Sequence, residues 1–244
     1  MTCLLMPEPP DPTPAFEQYA RSLGWQTALV VQSQLLSPSG EVKYREFEAA
    51  LDATPATWIA LDIENPPWLD RFALRPKLII DEMLHAVRLI HDRGKKAVLY
   101  NEITIASPWA ICKDFMRAVD AFSLNCYFHY PWEFTPGQSW WDVLQERLAN
   151  QQTLSAKYGC PIMAWTAPFS TQHNEQAPRI QRVPAESMLA LAKATRACEH
   201  FAYWTASRYY LNNGADWERV TWSEFDIDQD YEAHVQAITQ GRAA

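Results

Sequence analysis

The chain has 244 residues, 48% hydrophobic and 20% charged, which is apolar enough for a large core and matches one α/β barrel better than two ordinary domains. Its formal net charge of −8 argues against a nucleic-acid partner, since neutralising phosphates requires clustered Lys and Arg. No apolar run reaches the roughly 18 residues of a membrane span, and residues 1–14 are Pro-rich and acidic instead of basic then apolar, so no membrane partner and a cytoplasmic location are expected.

In chain order, a seventh strand is assigned at residues 2–6, followed by a helical stretch at 15–23 and a first clear strand at 27–32. A helix at 44–53 leads into a strand at 58–64, which Pro66 and Pro67 end because proline cannot donate to the ladder. Residues 77–92 read as a long helix with Ile80, Leu84, Val87 and Ile90 on one face, stopped by Gly94. The short basic cluster at 93–96 sits at that helix end, where positive charge is favourable. Then come a strand at 96–101, a helix at 110–119, a strand at 121–128, a Trp-rich loop at 132–141 and a helix at 141–158 capped by Gly159. A strand at 161–167, a long polar loop at 170–182, a helix at 184–198 and a strand at 201–205 complete the pattern.

Strands separated by helices imply parallel pairing. The fold class is therefore a (β/α) TIM-type barrel with six or seven recognisable strands, short of eight as if an initial βα unit were missing. Residues 1–244 form one barrel-like catalytic domain. The open doubly wound sheet is disfavoured, because its Gly-rich phosphate turn is absent and the chain holds only 7 glycines. The cysteines Cys3, Cys112, Cys126, Cys160 and Cys198 are scattered and read as buried free thiols. No His pair lies at ligand spacing, so neither a metal nor a nucleotide or other cofactor is expected.

In a parallel barrel, strand residues alternate between the interior and the helix layer, and reactive groups gather at C-terminal strand ends. In 58–64, Ile59, Leu61 and Ile63 suit the helix layer, which turns Ala60, Asp62 and Glu64 inward with the two acids last. In 121–128, Phe122, Leu124, Cys126 and Phe128 suit the helix layer, which turns Ala121, Ser123, Asn125 and Tyr127 inward. Near the end of the chain, Trp204 shares a face with Ala202 and Ala206.

Carboxylates two apart on a strand have alpha carbons about 6–7 Å apart. Their repulsion and partial burial raise one pKa, and a carboxyl protonated at neutral pH is the general acid that glycosidic cleavage requires. The 11 tryptophans fit the same chemistry, since aromatic faces stack on sugar rings. Asn101 and Glu102, at the next strand end, resemble the Asn-Glu acid/base motif of the large retaining-glycosidase clan.

The stretch from Trp58 through Asp62 to Glu64 resembles the acidic strand end of glycoside hydrolase family 18, the chitinases and endo-β-N-acetylglucosaminidases, and more distantly of the hyaluronidases. The stretch from Val119 through Asn125 to Tyr127 resembles that family's sixth strand. Gly159 to Pro168, with Trp165, resembles the seventh, and Phe201 to Trp204 the eighth. Ala60 and Phe128 depart from the family's pattern, which carries acids there.

The resemblance implies that Glu64 is the general acid, that Asp62 orients the substrate's N-acetyl group and that Tyr127 hydrogen-bonds it. The acetamide oxygen would then attack the anomeric carbon. Trp204 would lie under the sugar, with Asn125, Asn101, Glu102 and Trp165 as further substrate-binding residues. Two alternatives stay open: a carbohydrate-binding barrel without catalysis, and a retaining glycosidase of another family that uses Glu64 and Glu102.

Overall fold

A computed structural model describes residues 2–7, 14–31, 35–62, 75–100, 113–128, 139–172, 179–205, 208–212, 217–221 and 227–243. In chain order these form β1 (Thr2–Pro7), α1 (Pro14–Ser22), β2 (Gln26–Val31), α2 (Tyr44–Ala53), β3 (Trp58–Leu61), α3 (Pro76–His91), β4 (Lys96–Leu99), α4 (Lys113–Ala118) and β5 (Ala121–Asn125). They continue as α5 (Trp140–Tyr158), β6 (Ile162–Thr166), β7 (Phe169–Gln172), β8 (Arg179–Arg182), α6 (Ala185–Ala194), β9 (His200–Thr205), β10 (Arg208–Asn212), β11 (Trp217–Thr221) and α7 (Ile227–Arg242).

Seven strands close into a barrel in the order β1, β2, β3, β4, β5, β6, β9. Strand β1 pairs with β9, β2 with β3, β3 with β4 and β4 with β5, all in parallel. The fold is an α/β barrel of the TIM type. The strand expected at 2–6 is thus a barrel strand, with Met6 opposite Trp204.

Two expectations need correction. The polar loop at 170–182 contains an antiparallel ribbon, β7 with β8, in which Phe169 opposes Arg182 and Gln172 opposes Arg179. The barrel strands also end earlier than the hydrophobic alternation suggests: β3 at Leu61, β4 at Leu99 and β5 at Asn125. A second ribbon, β10 with β11, and the helix α7 were not assigned from sequence.

The chain divides into two compact units. One comprises Thr27–Asn125 and Leu148–Met163. Its core draws Ile59, Leu61, Val98 and Phe122 from the strands, Phe47 and Leu51 from α2 and Met83, Val87 and Ile90 from α3, all buried. The apolar positions of α3 recur at helical spacing, so one stripe leaves water and drives the packing. Gly94 ends this helix with φ 67°, a left-handed conformation that suits glycine, and its N–H donates to the His91 carbonyl at 2.8 Å.

The basic cluster after α3 has specific partners. Arg93 donates to Asp52 Oδ1 at 2.6 Å and to Glu48 Oε2 at 3.0 Å, both on α2. Lys95 Nζ donates to the carbonyls of Thr54 and Ala56, each at 2.8 Å. The Arg93 hydrogen bond holds the exposed Asp52 carboxyl below its ordinary range.

The other unit comprises Met1–Gln26, Cys126–Arg147 and Ala164–Ala244. Here α6 and α7 pack closely enough that a Cβ on Gly241 would sit 2.6 Å from Ala192 Cβ and 3.0 Å from the Leu189 carbonyl oxygen. Two arginines tie the ends of these helices to each other. Buried Arg242 donates to the carbonyls of Thr195 at 2.6 Å and Cys198 at 2.5 Å, while Arg196 Nε donates to the Gly241 carbonyl at 2.7 Å. The guanidiniums thus take up the Thr195 and Gly241 carbonyls that the helix ends leave unpaired, and Arg242 adds the Cys198 carbonyl of the turn that follows α6. Burial pushes the Cys198 thiol up to about 12, so it stays protonated at neutral pH.

Candidate active site

The alternation argued from sequence can be read directly on β9. Tyr203 OH lies 2.6 Å from His234 Nδ1 on α7, and His234 Nε2 lies 2.6 Å from the Val183 carbonyl oxygen. That carbonyl can only accept, so Nε2 carries the proton and Nδ1 accepts from Tyr203. Burial holds the Tyr203 phenol well above its ordinary range, which keeps it a donor. Phe201 lies under the Arg242 guanidinium, 5.6 Å from ring centroid to carbon. Phe201 and Tyr203 therefore face the helices, and by strand alternation Ala202 and Trp204 face the opposite side.

Trp204 is partly exposed and meets Tyr127 with ring centroids 6.3 Å apart and planes at 61°. Tyr127 follows the end of β5 by two residues and is 8% exposed. Its backbone is held on both sides. Cys126 N–H donates to the Trp165 carbonyl at 2.7 Å, and Thr166 Oγ1 donates to the Cys126 carbonyl at 3.1 Å. Trp140 Nε1 donates to the Tyr127 carbonyl at 2.8 Å. Trp165 is buried within β6 at 1% exposure.

In the other unit, Asp62 stands one residue beyond β3, its side chain partly exposed. Its N–H donates to the Val31 carbonyl at 3.1 Å, so the parallel hydrogen bonding outlasts the strand by one residue and fixes the backbone under the acid. Tyr100 N–H donates to the Leu61 carbonyl at 3.1 Å just past β4. On β5, the Ser123 hydroxyl donates to the Tyr100 carbonyl and lies 3.5 Å from Asn125 Oδ1. Ser123 is fully buried, whereas Asn125, two residues on, is partly exposed at the strand end. Glu64, Asn101 and Glu102 lie outside the described residues.

Each described candidate therefore stands at, just past or, for Trp165 and Trp204, one residue before the C-terminal end of its own strand. Among the described residues, no group of three His, Cys, Asp or Glu side chains could hold a metal ion. No described helix is long and apolar enough to cross a membrane.

A pair of tryptophans at the start of α5, read from sequence as the end of a Trp-rich loop, was not among the site candidates. Ser139 and Asp142 form a capping box: the Ser139 hydroxyl and N–H donate to Asp142 Oδ2 at 2.7 and 3.0 Å, and Asp142 N–H donates to Ser139 Oγ at 3.2 Å. Trp140 and Trp141 lie between these residues, in the first turn. Phe128 stacks on Trp140 with centroids 4.5 Å apart, and Trp141 stands nearly perpendicular to both rings. Their visible signal was the Ser-x-x-Asp spacing around the Trp pair.

No protein-family model matches the chain, and no curated protein matches it. Solved structures do. A family 5 cellulase of a Bacteroidetes-affiliated source superposes over 100% of this chain and 91% of its own, at 10% identity and a TM-score of 0.53. A family 5 xyloglucanase from Paenibacillus pabuli covers 96% of this chain and 91% of its own, at 11% identity and 0.51. A bee venom hyaluronidase in complex with a hyaluronic acid tetramer is more distant, at 9% identity and a TM-score of 0.41. It covers 74% of this chain, which spans 60% of the hyaluronidase.

The chain is therefore a TIM-type (β/α) barrel, a fold it shares with glycoside hydrolases. The two nearer structures are family 5 enzymes, not members of family 18, and at this identity the likeness establishes the fold alone.

Proposed function

We propose that the protein is a glycoside hydrolase acting on β-linked, N-acetylated sugars. The observation that carries this reading is the Tyr127–Trp204 pair near strand ends, a phenol ring meeting a partly exposed indole, with the Tyr127 carbonyl held by Trp140. That is the combination a sugar ring needs: an apolar face to stack on and a directed polar group at its edge.

In this reading Glu64 gives its proton to the glycosidic oxygen as the bond to the anomeric carbon breaks. The acetamide oxygen of the same sugar attacks that carbon from the opposite side, so no protein carboxylate is needed as nucleophile. Asp62 orients the acetamide, Tyr127 hydrogen-bonds it and Trp204 stacks on the ring. Water then opens the intermediate, returning its proton to Glu64. Asn125 and Asn101 contribute to holding the substrate, while Trp165, buried in β6, supports the strand beside Cys126.

A second reading is favoured by the adjacency of Asn101 and Glu102 just past β4: a retaining glycosidase in which Glu64 and Glu102 are the working pair, on a neutral β-glucan. Reducing-end release from a panel of β-linked N-acetylglucosamine oligomers, cello-oligosaccharides and xyloglucan separates the two. Cleavage confined to the N-acetylated members supports the first. Full activity on substrates without an acetamide supports the second, and binding without cleavage of any member makes the protein a carbohydrate-binding barrel.

A further inference from the structure

Among the described residues, the exposed large hydrophobic side chains are Leu78 and Trp141, and Trp141, at 39%, is the aromatic one. It is not loosely attached. Trp140 crosses it at 83° with centroids 4.7 Å apart, and Phe128 at 82° and 6.4 Å. The Ser139–Asp142 capping box fixes the helical turn that carries it. An exposed indole already held in one orientation loses little side-chain freedom when a ligand settles on it.

The same cluster continues into the candidate site. Trp140 donates its Nε1 proton to the Tyr127 carbonyl, and Phe128, stacked on Trp140, is the residue after Tyr127. The ring contacts thus form two groups, Trp204 with Tyr127 and Phe128 with Trp140 and Trp141, joined by the chain at residues 127 and 128 and by the Trp140 hydrogen bond to the Tyr127 carbonyl. A lone hydrophobic side chain on a surface needs no explanation, but this one belongs to an aromatic group hydrogen-bonded to the backbone of Tyr127, the residue that meets Trp204.

We propose that Trp141 forms a second sugar-binding subsite, which takes another pyranose ring of the same β-linked oligosaccharide. The inference rests on the glycosidase reading and adds to it that the substrate is a chain of several sugars. Short substrates fill the Trp204 position only, and longer ones gain affinity by reaching Trp141.

The test is a tryptophan-fluorescence and calorimetric titration with N-acetylglucosamine oligomers and cello-oligosaccharides of two to six units. It uses wild type, Trp141→Ala, Trp141→Phe and, as control, Leu78→Ala, with Glu64→Gln added to each where the oligomer is cleaved. Wild type is expected to bind more tightly as the oligomer lengthens. Trp141→Ala should leave the two-unit Kd within about twofold and weaken six-unit binding roughly five- to tenfold, with Trp141→Phe in between and Leu78→Ala unchanged. Circular dichroism and Tm establish that each variant is folded. Equal affinity of wild type and Trp141→Ala for every length overturns the subsite while leaving the glycosidase reading intact. Failure of wild type to bind any oligomer overturns both.

Discussion

The rings of Tyr127 and Trp204 meet edge-on, 6.3 Å between centroids, joining the residue two past β5 to the penultimate residue of β9. The contact sets the indole beside the phenol before any ligand arrives, and the Trp140 hydrogen bond to the Tyr127 carbonyl holds the phenol's backbone.

Tyr127→Phe keeps the ring and the contact but removes the hydroxyl. A hydrogen bond in a desolvated site is worth about 1–3 kcal/mol, so kcat/KM on an N-acetylated oligomer should fall roughly ten- to hundredfold. Initial rates measure this, with Tm as the check on folding. An unchanged kcat/KM would remove Tyr127 from the site.

Gly241→Ala tests the packing of α7 on α6. A methyl there would sit 2.6 Å from Ala192 Cβ, so the helices must separate, and overpacking of this kind costs about 1–3 kcal/mol. The urea midpoint should drop, and Ala192→Gly in the same chain should restore part of the loss by vacating the space. Restoration by a distant small-residue change, but not by Ala192→Gly, would place the strain elsewhere.

The capping box at α5 predicts a dependence on acid. The Ser139 hydroxyl, and then its backbone N–H, hold the Asp142 carboxyl below its usual range. A carboxyl with a depressed folded-state pKa contributes stability that is present above the unfolded value and is lost as pH falls through the folded one. Helix α5 should therefore loosen at its start only in acid, below the ordinary aspartate range. In an NMR titration, Ser139→Ala should move the Asp142 midpoint up toward that range, and a midpoint that stays put would show that the hydroxyl does not set it.

The barrel was legible in the sequence because parallel strands buried on both faces read as short apolar runs, and Lys96 to Leu99 or Ile162 to Thr166 allow little else. Strand ends were less legible. Asp62 continues the alternation of β3 and still bonds to Val31, so sequence pattern alone extends the strand past the point where pairing stops. The ribbon β7–β8 carries Ser170, Thr171, Gln172, Arg179, Gln181 and Arg182, and such polar strands show no hydrophobic period to distinguish them from a loop. Helix α7 was readable, for Tyr231, Val235 and Ile238 recur at helical spacing and are all buried. Of the candidate site, Asp62, Asn125, Tyr127 and Trp204 could be placed at strand ends by parity. Trp140 and Trp141 could not, because their position depends on where α5 begins, and only the Ser139–Asp142 cap fixes that.

The central claim is that Glu64 supplies the proton for glycosidic cleavage. Glu64→Gln keeps the shape of the side chain and holds no transferable proton, so reducing-end release from an N-acetylglucosamine oligomer should fall by at least about a hundredfold while Kd for the same oligomer stays nearly unchanged. Turnover by Glu64→Gln at the wild-type rate would contradict the account.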